Sequence, residues 1–224
     1  INDGQLEMVR YLTQDSGRIK TIVGDAGTGK TYAMEAVKEA AHASGYKIRG
    51  AALAGAAAEQ LAETGIPSQT IESLLWWLNN RPETADGPIL EKRTILVIDE
   101  AGMVDTRRLA ELVRHTQDAG ATLFLIGDPK QLQAINQGGG FAKIHQDVDG
   151  RRLVDIMRQK NDADKEAVRA VSEGKTMVFL NHVAEQGRLH VKEHRMDARL
   201  ALVRDWMMNE SANPSQSLVF AGQN

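Results

Sequence analysis

Short runs of apolar and β-branched residues alternate along the chain with longer stretches whose apolar residues recur every three or four positions. Apolar runs of about four to eight residues are typical of buried strands, whereas the longer periodic stretches are typical of amphipathic helices. Strand–helix–strand alternation predicts an α/β fold, in which helices cover a parallel sheet. The predicted strands cover residues 19–23, 46–53, 94–98 and 122–126, and the predicted helices cover residues 31–43, 56–63, 70–78 and 106–119.

The pattern restarts after Gly150, which predicts a domain boundary near that residue. The charge balance changes at the same place: residues 1–150 hold 15 Lys and Arg against 20 Asp and Glu, and residues 151–224 hold 12 against 10. We therefore expect two domains, 1–150 and 151–224; the chain stops directly after a predicted strand, which is an odd place for a domain to finish. In the second we expect helices over residues 162–173 and 197–208 and strands over 188–192 and 217–220.

Composition excludes several classes of protein. Of the 224 residues 42% are hydrophobic and 25% charged, with a net charge of −3, which is typical of a globular chain and not of a disordered or fibrous one. The absence of cysteine excludes a disulfide scaffold and fits a reducing cytoplasm. The longest stretch of small apolar residues, 51–58, is far short of the roughly 20 residues that span a bilayer, so we expect a cytoplasmic protein without membrane insertion. The chain begins with Ile1 and not Met, which indicates a piece of a longer protein.

The predicted strand over residues 19–23 is followed at once by GDAGTGKT, which opens a predicted helix. This is the phosphate-binding loop pattern GxxxxGK[ST] in its strand–loop–helix context. Its glycines let backbone N–H groups turn toward phosphates, and the helix presents its positive end to them. Lys30 is expected to reach the β- and γ-phosphates of ATP, and the Thr31 hydroxyl is expected to ligate Mg²⁺. The predicted nucleotide ligands in this segment are Gly24, Gly27, Thr28, Gly29, Lys30 and Thr31.

Two acidic residues, Asp99 and Glu100, end the predicted strand over residues 94–98. Alone, such a pair is typical of a solvated strand end. Ligands of α/β sheets bind at the carboxyl ends of the strands, where the phosphate-binding loop also lies. We therefore predict that Asp99 holds the Mg²⁺ shell and that Glu100 orients and deprotonates the attacking water. A pair of acids favours hydrolysis over simple nucleotide binding.

A third segment, GDPKQL at residues 127–132, follows the next predicted strand. A glutamine at this strand end can hydrogen-bond a γ-phosphate and a neighbouring element, so Gln131 can sense hydrolysis. By itself the segment is typical of a turn.

The order of GDAGTGKT, VIDEA and GDPKQL resembles that of superfamily 1 helicases, specifically the RecD-like 5′→3′ branch. Gln5, in NDGQ, resembles the glutamine that reads adenine in this family, and TIESLL at residues 70–75 resembles its TIHxLL element. Arg158, in DIMRQ, resembles the arginine that approaches the γ-phosphate from the second RecA-like lobe. The segments LQAI and SLVFA are similar to the helicase half of MobF-type conjugative relaxase–helicases.

The resemblance implies a complete RecA-like lobe over residues 1–150 and the start of a second over 151–224. It implies an ATP-dependent DNA helicase that moves along single-stranded DNA in conjugative plasmid transfer, with other conjugation proteins as partners. The implied DNA contacts are Gly55 and Thr70. Trp76 joins them because it projects away from the apolar stripe of its helix, and exposed aromatic rings stack on bases.

The sequence also departs from the family pattern. Ala54 stands where the family commonly has a threonine, so a DNA contact at this point depends on backbone N–H groups. Glu72 replaces the histidine of TIHxLL, and the later motifs of the second lobe are absent. The loop over residues 79–92 is either a minimal strand-separating pin or a plain loop.

Two other interpretations stay open. The chain can be a vestigial, non-catalytic module that binds DNA or docks another part of a relaxase, although its phosphate-binding loop and acid pair argue against this. Another class of P-loop protein is the third interpretation. The chain has no NKxD motif for guanine, and its acid pair and GDPKQL disfavour a small-molecule kinase.

Overall fold

The computed structural model describes residues 3–14, 16–24, 30–80, 90–128, 139–153 and 161–209. These residues form two compact units, which divide the chain between Lys160 and Asn161. The strands of the first unit are β1 (Ile19–Gly24), β2 (Lys47–Ala52), β3 (Ser68–Thr70), β4 (Thr94–Ile98), β5 (Thr122–Gly127) and β6 (Arg151–Leu153). Its α-helices are α1 (Asp3–Gln14), α2 (Lys30–Ala43), α3 (Gly55–Glu63), α4 (Ile71–Asn80), α5 (Thr106–Asp118) and α6 (Gly140–Asp147), with a 3-10 turn over Ala101–Met103.

The strands form a single parallel sheet in the order β3-β2-β4-β5-β1-β6. Because every strand runs in the same direction, their carboxyl ends meet along one side of the sheet, which we call the carboxyl edge. Strand β5 lies between β1 and β4. The carboxyl edge therefore brings the ends of β1, β5 and β4 next to one another.

Both faces of the sheet are buried, because apolar side chains point alternately to either side of each central strand. In β4, Ile95 and Val97 join the core beneath α1, α2 and α3, whereas Leu96 and Ile98 join the core beneath α4, α5 and α6. Phe124 of β5 lies in the first of these cores and is 1% exposed. Three helices therefore cover each face of the sheet.

The second unit contains α7 (Asp162–Ser172), α8 (Thr176–Glu185) and α9 (Arg195–Asn209). Helices α7 and α8 are joined by a hydrogen bond in which His182 Nε2 lies 2.6 Å from Asp164 Oδ1. Arg188 donates to the same carboxylate at 3.0 Å. Helix α9 exposes many apolar side chains, namely Met196, Leu200, Leu202, Val203, Met207 and Met208.

The structure confirms the predicted α/β fold and its first four strands, whose observed bounds differ from the prediction by at most one residue at each end. The predicted helices are confirmed with small shifts; the helix expected over 70–78 begins at Ile71 and continues to Asn80, so it includes two residues assigned to a loop. Elements without a strong pattern were missed: α1, β3, α6, β6 and α8.

The strand predicted over residues 188–192 is wrong, because this segment pairs with no strand of the described chain. Its first residue, Arg188, instead donates to the Asp164 carboxylate of α7. The predicted strand over 217–220 lies outside the described residues. Strand β6 pairs with β1, so the first unit continues past residue 150 to Lys160. Among the helices of the described ranges, none has the length and apolar character needed to cross a bilayer.

Candidate nucleotide-binding site

Lys30 opens α2 at the carboxyl edge, directly after the phosphate-binding loop in sequence. Its Nζ donates a hydrogen bond at 2.5 Å to the carbonyl oxygen of Gly24, the last residue of β1. The lysine side chain therefore folds back over the end of the strand, where a phosphate group would lie. Thr31 follows in α2, and its side chain is outside the described part of the structure, as are residues Gly27, Thr28 and Gly29.

Asp99 and Glu100 lie two strands away, at the end of β4. The backbone N–H of Asp99 donates to the carbonyl of Ala51 in β2 at 3.0 Å, which continues the sheet by one residue. The backbone N–H of Glu100 then donates to Asp99 Oδ1 at 2.8 Å. Glu100 adopts a left-handed conformation with φ of 53°, which is rare for a residue with a side chain and concentrates at functional sites.

The electrostatics of this pair link it to Lys30. Burial raises the pKa of Asp99, against the opposing effects of the Glu100 N–H and the charge of Lys30. Burial also raises the pKa of Glu100, and the charge of Asp99 adds to this, whereas Lys30 lowers it. Lys30 is thus close enough to act on both carboxylates. Three of the predicted site residues, one cationic and two anionic, therefore lie along the same carboxyl edge, at the ends of β1 and β4 with β5 between them.

The turn after β4 also packs directly against the end of β5. A Cβ atom placed on Gly102 would lie 2.6 Å from the backbone oxygen of Asp128, and one placed on Gly127 would lie 2.7 Å from the Gly102 nitrogen. Real Cβ atoms essentially never approach so closely, so both positions require glycine. The acid pair and the GDPKQL segment therefore share a backbone contact. Gln131 itself lies outside the described residues.

Gln5, predicted to read adenine, lies on α1 and is 3% exposed. It shares the buried face of this helix with Met8 and Leu12. Arg158, predicted to reach the γ-phosphate, lies outside the described residues.

Two of the predicted DNA contacts lie at helix starts on the carboxyl edge. Gly55 is the exposed first residue of α3, whose N-cap, Ala54, provides no side-chain hydrogen bond. The first N–H groups of a helix have no partner within the helix, so this turn can accept an anion. Thr70 ends β3. Its Oγ1 accepts a hydrogen bond at 3.2 Å from the backbone N–H of Ser73, so the Thr70 hydroxyl caps the start of α4.

Trp76 projects from α4 and is 56% exposed, as its position opposite the apolar stripe predicts. Its ring packs edge-on against that of Trp77, with centroids 5.4 Å apart. Beside it, a groove of about 670 Å³ runs between α4 and α5. This groove is lined by both signs of charge, with Glu72, Asp105 and Glu111 on one side of the balance and Arg107 and Arg108 on the other, so it holds no excess of positive charge for phosphate.

Glu72, the residue that departs from the TIHxLL pattern, forms an ion pair with Arg108 of α5. Arg108 also contacts the carboxylate of Asp105, and its backbone N–H donates to Asp105 Oδ1 at 2.9 Å, which caps α5. Sequence reasoning missed both this network and the Gly102 contact. The spacing of Asp105 and Arg108 around the start of α5 was a usable signal for the cap; nothing local in the sequence indicates that Gly102 meets Asp128.

A sequence profile described as AAA domain matches residues 1–194 of the chain. The chain therefore belongs to the AAA domain family, a class of nucleotide-binding proteins. Within that class it is related to superfamily 1 helicases and to conjugative relaxase–helicases, as the relatives below indicate.

A probable conjugal transfer protein TraA from Sinorhizobium fredii is 39% identical over 208 residues, which cover 92% of this chain and 18% of that protein. The ATP-dependent RecD2 DNA helicase of Deinococcus radiodurans is 29% identical over 157 residues, covering 68% of this chain and 21% of that protein. The chain thus spans about a fifth of the length of these relatives.

Among solved structures, the crystal structure of Pif1 helicase from Candida albicans matches with a TM-score of 0.62 and 18% sequence identity. The match covers 94% of this chain and 55% of that chain, and it is a likeness of fold. These matches confirm the predicted family resemblance.

Proposed function

We propose that this chain binds and hydrolyses ATP as part of a DNA helicase motor that moves 5′→3′ along single-stranded DNA in conjugative plasmid transfer. The observation that carries the proposal is that Lys30 lies at the same carboxyl edge as Asp99 and Glu100, near enough for its charge to lower the pKa of both. A lysine for phosphate, an aspartate for metal and a glutamate for water are the parts that nucleotide hydrolysis needs, whereas binding alone needs only the first two.

The donor set fits a Mg²⁺ ion. Asp99 offers a partly buried carboxylate whose pKa burial raises even though Lys30 is near, so its ionised form favours additional positive charge. Mg²⁺ prefers such oxygen ligands, and the Thr31 hydroxyl would be the second. When bound, the ion supplies charge neutralisation for the phosphate groups.

Glu100 is the general base of the proposal. A base is most effective when its pKa lies near the working pH, and burial together with the charge of Asp99 moves the pKa of Glu100 upward. Its carboxylate would accept the proton of the attacking water while Lys30 holds the phosphate oxygens. Gln131 and Arg158 are proposed to contact the γ-phosphate, Arg158 from the second RecA-like lobe.

Single-stranded DNA is proposed to cross the carboxyl edge. The uncapped first turn of α3 supports a phosphate contact at the N–H of Gly55, and such contacts grip DNA without reading its sequence. Thr70 would lie beside the next phosphate. The exposed ring of Trp76 supports stacking on a base, with the phosphates held away from Glu72 and Glu111.

The test is ATP hydrolysis with and without single-stranded DNA. Lys30→Ala is expected to lower the rate of ATP hydrolysis at least about a hundredfold, because it removes the positive charge that contacts the transferred phosphate. Lys143→Ala is the matched control, since Lys143 is an exposed lysine of α6 whose partner is Asp147 at 2.6 Å. DNA-stimulated turnover in Lys30→Ala equal to that of the control would overturn the proposal.

A second measurement addresses direction and the non-catalytic alternative. Unwinding of a duplex with a 5′ single-stranded tail, and not of one with a 3′ tail, is expected for 5′→3′ movement. DNA binding that ignores nucleotide, in a chain that does not hydrolyse ATP, would favour a vestigial binding module.

A further inference from the structure

Lys20, in β1, is a buried lysine whose ammonium group caps a helix. The residue is 5% exposed, and its Nζ donates to the carbonyl oxygens of Leu12 at 2.8 Å and Tyr11 at 3.2 Å. These carbonyls belong to the last turn of α1, where backbone oxygens lack partners within the helix and carry the negative end of its dipole. Lys20 therefore fixes the C-terminal end of α1 to the sheet by both hydrogen bonds and charge.

Two further contacts hold the same helix end. The backbone N–H of Thr21 donates to Tyr11 Oη at 3.4 Å, and the guanidinium of Arg151 in β6 lies 5.6 Å from the centre of the Tyr11 ring. The ring of Phe124 lies 5.8 Å from the Lys20 ammonium. The end of α1 is thus joined to β1 and β6 at one point, with Lys20 as the charged group that bonds the helix carbonyls.

Helix α1 also carries Gln5 on the face that it buries. A helix of 12 residues behaves as a stiff rod about 18 Å long, so its orientation at one end determines where a side chain at the other end lies. Fixing the last turn therefore helps to set the position of Gln5, together with the contacts of its own buried side chain.

Lys20 does not reach the phosphate site itself. It lies near the start of β1, four residues before Gly24, and a strand advances about 3.3 Å per residue. At the other end of this strand, Lys30 is the residue proposed to provide the positive charge for phosphate. A separate role for Lys20 has to act through α1.

We propose that Lys20 is a positioning residue for recognition of the nucleotide base: by holding α1, it keeps the Gln5 carboxamide against adenine. The inference rests on the proposed binding of ATP and on the predicted role of Gln5. A carboxamide offers one donor and one acceptor, which match the N7 acceptor and N6 donor of adenine; guanine presents two acceptors at the same edge. Lys20 thus contributes to the preference for ATP over GTP.

The chain offers a matched control. Lys38 of α2 donates at 2.8 Å to the carbonyl of Thr64, the C-cap of α3, so it too is a lysine that caps the end of a helix. Helix α3 carries no predicted base contact. Lys38→Met therefore removes the same kind of hydrogen bond without moving Gln5.

The experiment measures dissociation constants for ATP and GTP by calorimetry on the 224-residue chain. Lys20→Met is expected to weaken ATP binding about threefold to tenfold, the worth of one misplaced hydrogen bond, with GTP binding unchanged. Lys38→Met is expected to keep the ATP-to-GTP ratio of the unsubstituted chain. An unchanged ratio in folded Lys20→Met overturns the proposal, because a merely structural cap would lower the melting temperature and leave the ratio alone.

Two variants keep the result decisive. If Lys20→Met does not fold, Lys20→Gln removes the charge and shortens the side chain at the same place, and a ratio unchanged in this variant overturns the proposal. Gln5→Ala separates the premises: a ratio unchanged there disproves base reading by Gln5 and with it the role of Lys20. Absence of ATP binding in the unsubstituted chain contradicts the proposed function itself.

Discussion

The interior of the sheet and its carboxyl edge lie only a few residues apart, yet they are built in opposite ways. In the interior, the pattern of apolar residues, the strand geometry and the burial agree along β4 and β5. At the edge, two adjacent carboxylates have raised pKa values, Glu100 adopts a left-handed conformation, and Gly102 touches the backbone of Asp128.

The difference separates stability from function. Where all local preferences agree, a sequence gains stability and a single fold; where they are violated together, the surrounding structure holds a costly arrangement in place. We infer that the interior of the sheet is the rigid support that holds the residues of the carboxyl edge in place. Substitutions in the two regions should therefore have different consequences, and three pairs of variants test this from the largest expected effect to the smallest.

The largest effect is expected in the interior. Phe124→Ala removes a large, fully buried ring from the core beneath α1 and α2, and we expect it to lower the free energy of unfolding by about 3–5 kcal/mol. Trp76→Ala removes a larger ring that is mostly exposed, so we expect a loss below about 1 kcal/mol. Urea unfolding measures both. Similar losses in the two variants would remove the distinction between interior and surface.

A smaller loss of stability is expected at the edge, together with a change in activity. Gly102→Ala forces a Cβ against the Asp128 backbone, and we expect a loss of about 1–3 kcal/mol and slower ATP hydrolysis. Gly55→Ala is the control, because its Cβ would meet no atom within 4 Å and the backbone N–H is retained. Calorimetric unfolding and steady-state turnover are the measurements. Full activity in folded Gly102→Ala would show that the close contact has no part in hydrolysis.

The smallest expected effect is a gain, and not a loss, in the free energy of unfolding. Burial raises the pKa of Asp99, so the folded chain favours the protonated carboxyl more than the unfolded chain does. The stability that this group contributes is therefore lost as the pH rises through the raised pKa. Asp99→Asn is therefore expected to raise the free energy of unfolding at pH 7 by about 0.5–2 kcal/mol without nucleotide, while weakening Mg²⁺-dependent ATP binding. The gain should shrink toward pH 4.

Asp105→Asn is the matched control, because the pKa of Asp105 is shifted in the opposite direction from that of Asp99. Burial tends to raise the pKa of Asp105, but hydrogen bonds from the backbone and side chain of Arg108 outweigh it and lower the pKa. A lowered pKa contributes stability that is present at neutral pH and lost as the pH falls through it. Asp105→Asn should thus destabilise the chain at pH 7. Unfolding curves at several pH values that shift alike for both variants would contradict the assignment.

The sequence predicted the interior well and the edge in part. The apolar runs of β1, β4 and β5 locate these strands because burial on both faces leaves few other residue types possible. Motif spacing predicted site roles for Lys30, Asp99 and Glu100, which lie along the same carboxyl edge; the roles stay predictions. It gave no sign of the contacts that hold them, since these join residues far apart in sequence.

Three features that the sequence did not predict correctly show why it could not. Strand β6, with only three residues and two exposed arginines, is defined by its pairing with β1 and not by its own pattern. Lys20 reads as an ordinary charged residue in sequence, and only the end of α1 gives its buried ammonium group partners. Conversely, residues 188–192 alternate like a strand but pair with none in the described ranges. Pairing and close approach are properties of three dimensions.

The contact between Gly102 and the end of β5 has a mechanical consequence. Side chains can absorb a small displacement by rotating, but two backbones already in van der Waals contact have nothing between them that yields. A shift of a few tenths of an ångström at Gly127 or Asp128 must therefore appear at Gly102, two residues from Glu100. We therefore expect the ends of β4 and β5 to move together, so that a change at the GDPKQL segment also displaces the turn that carries Glu100.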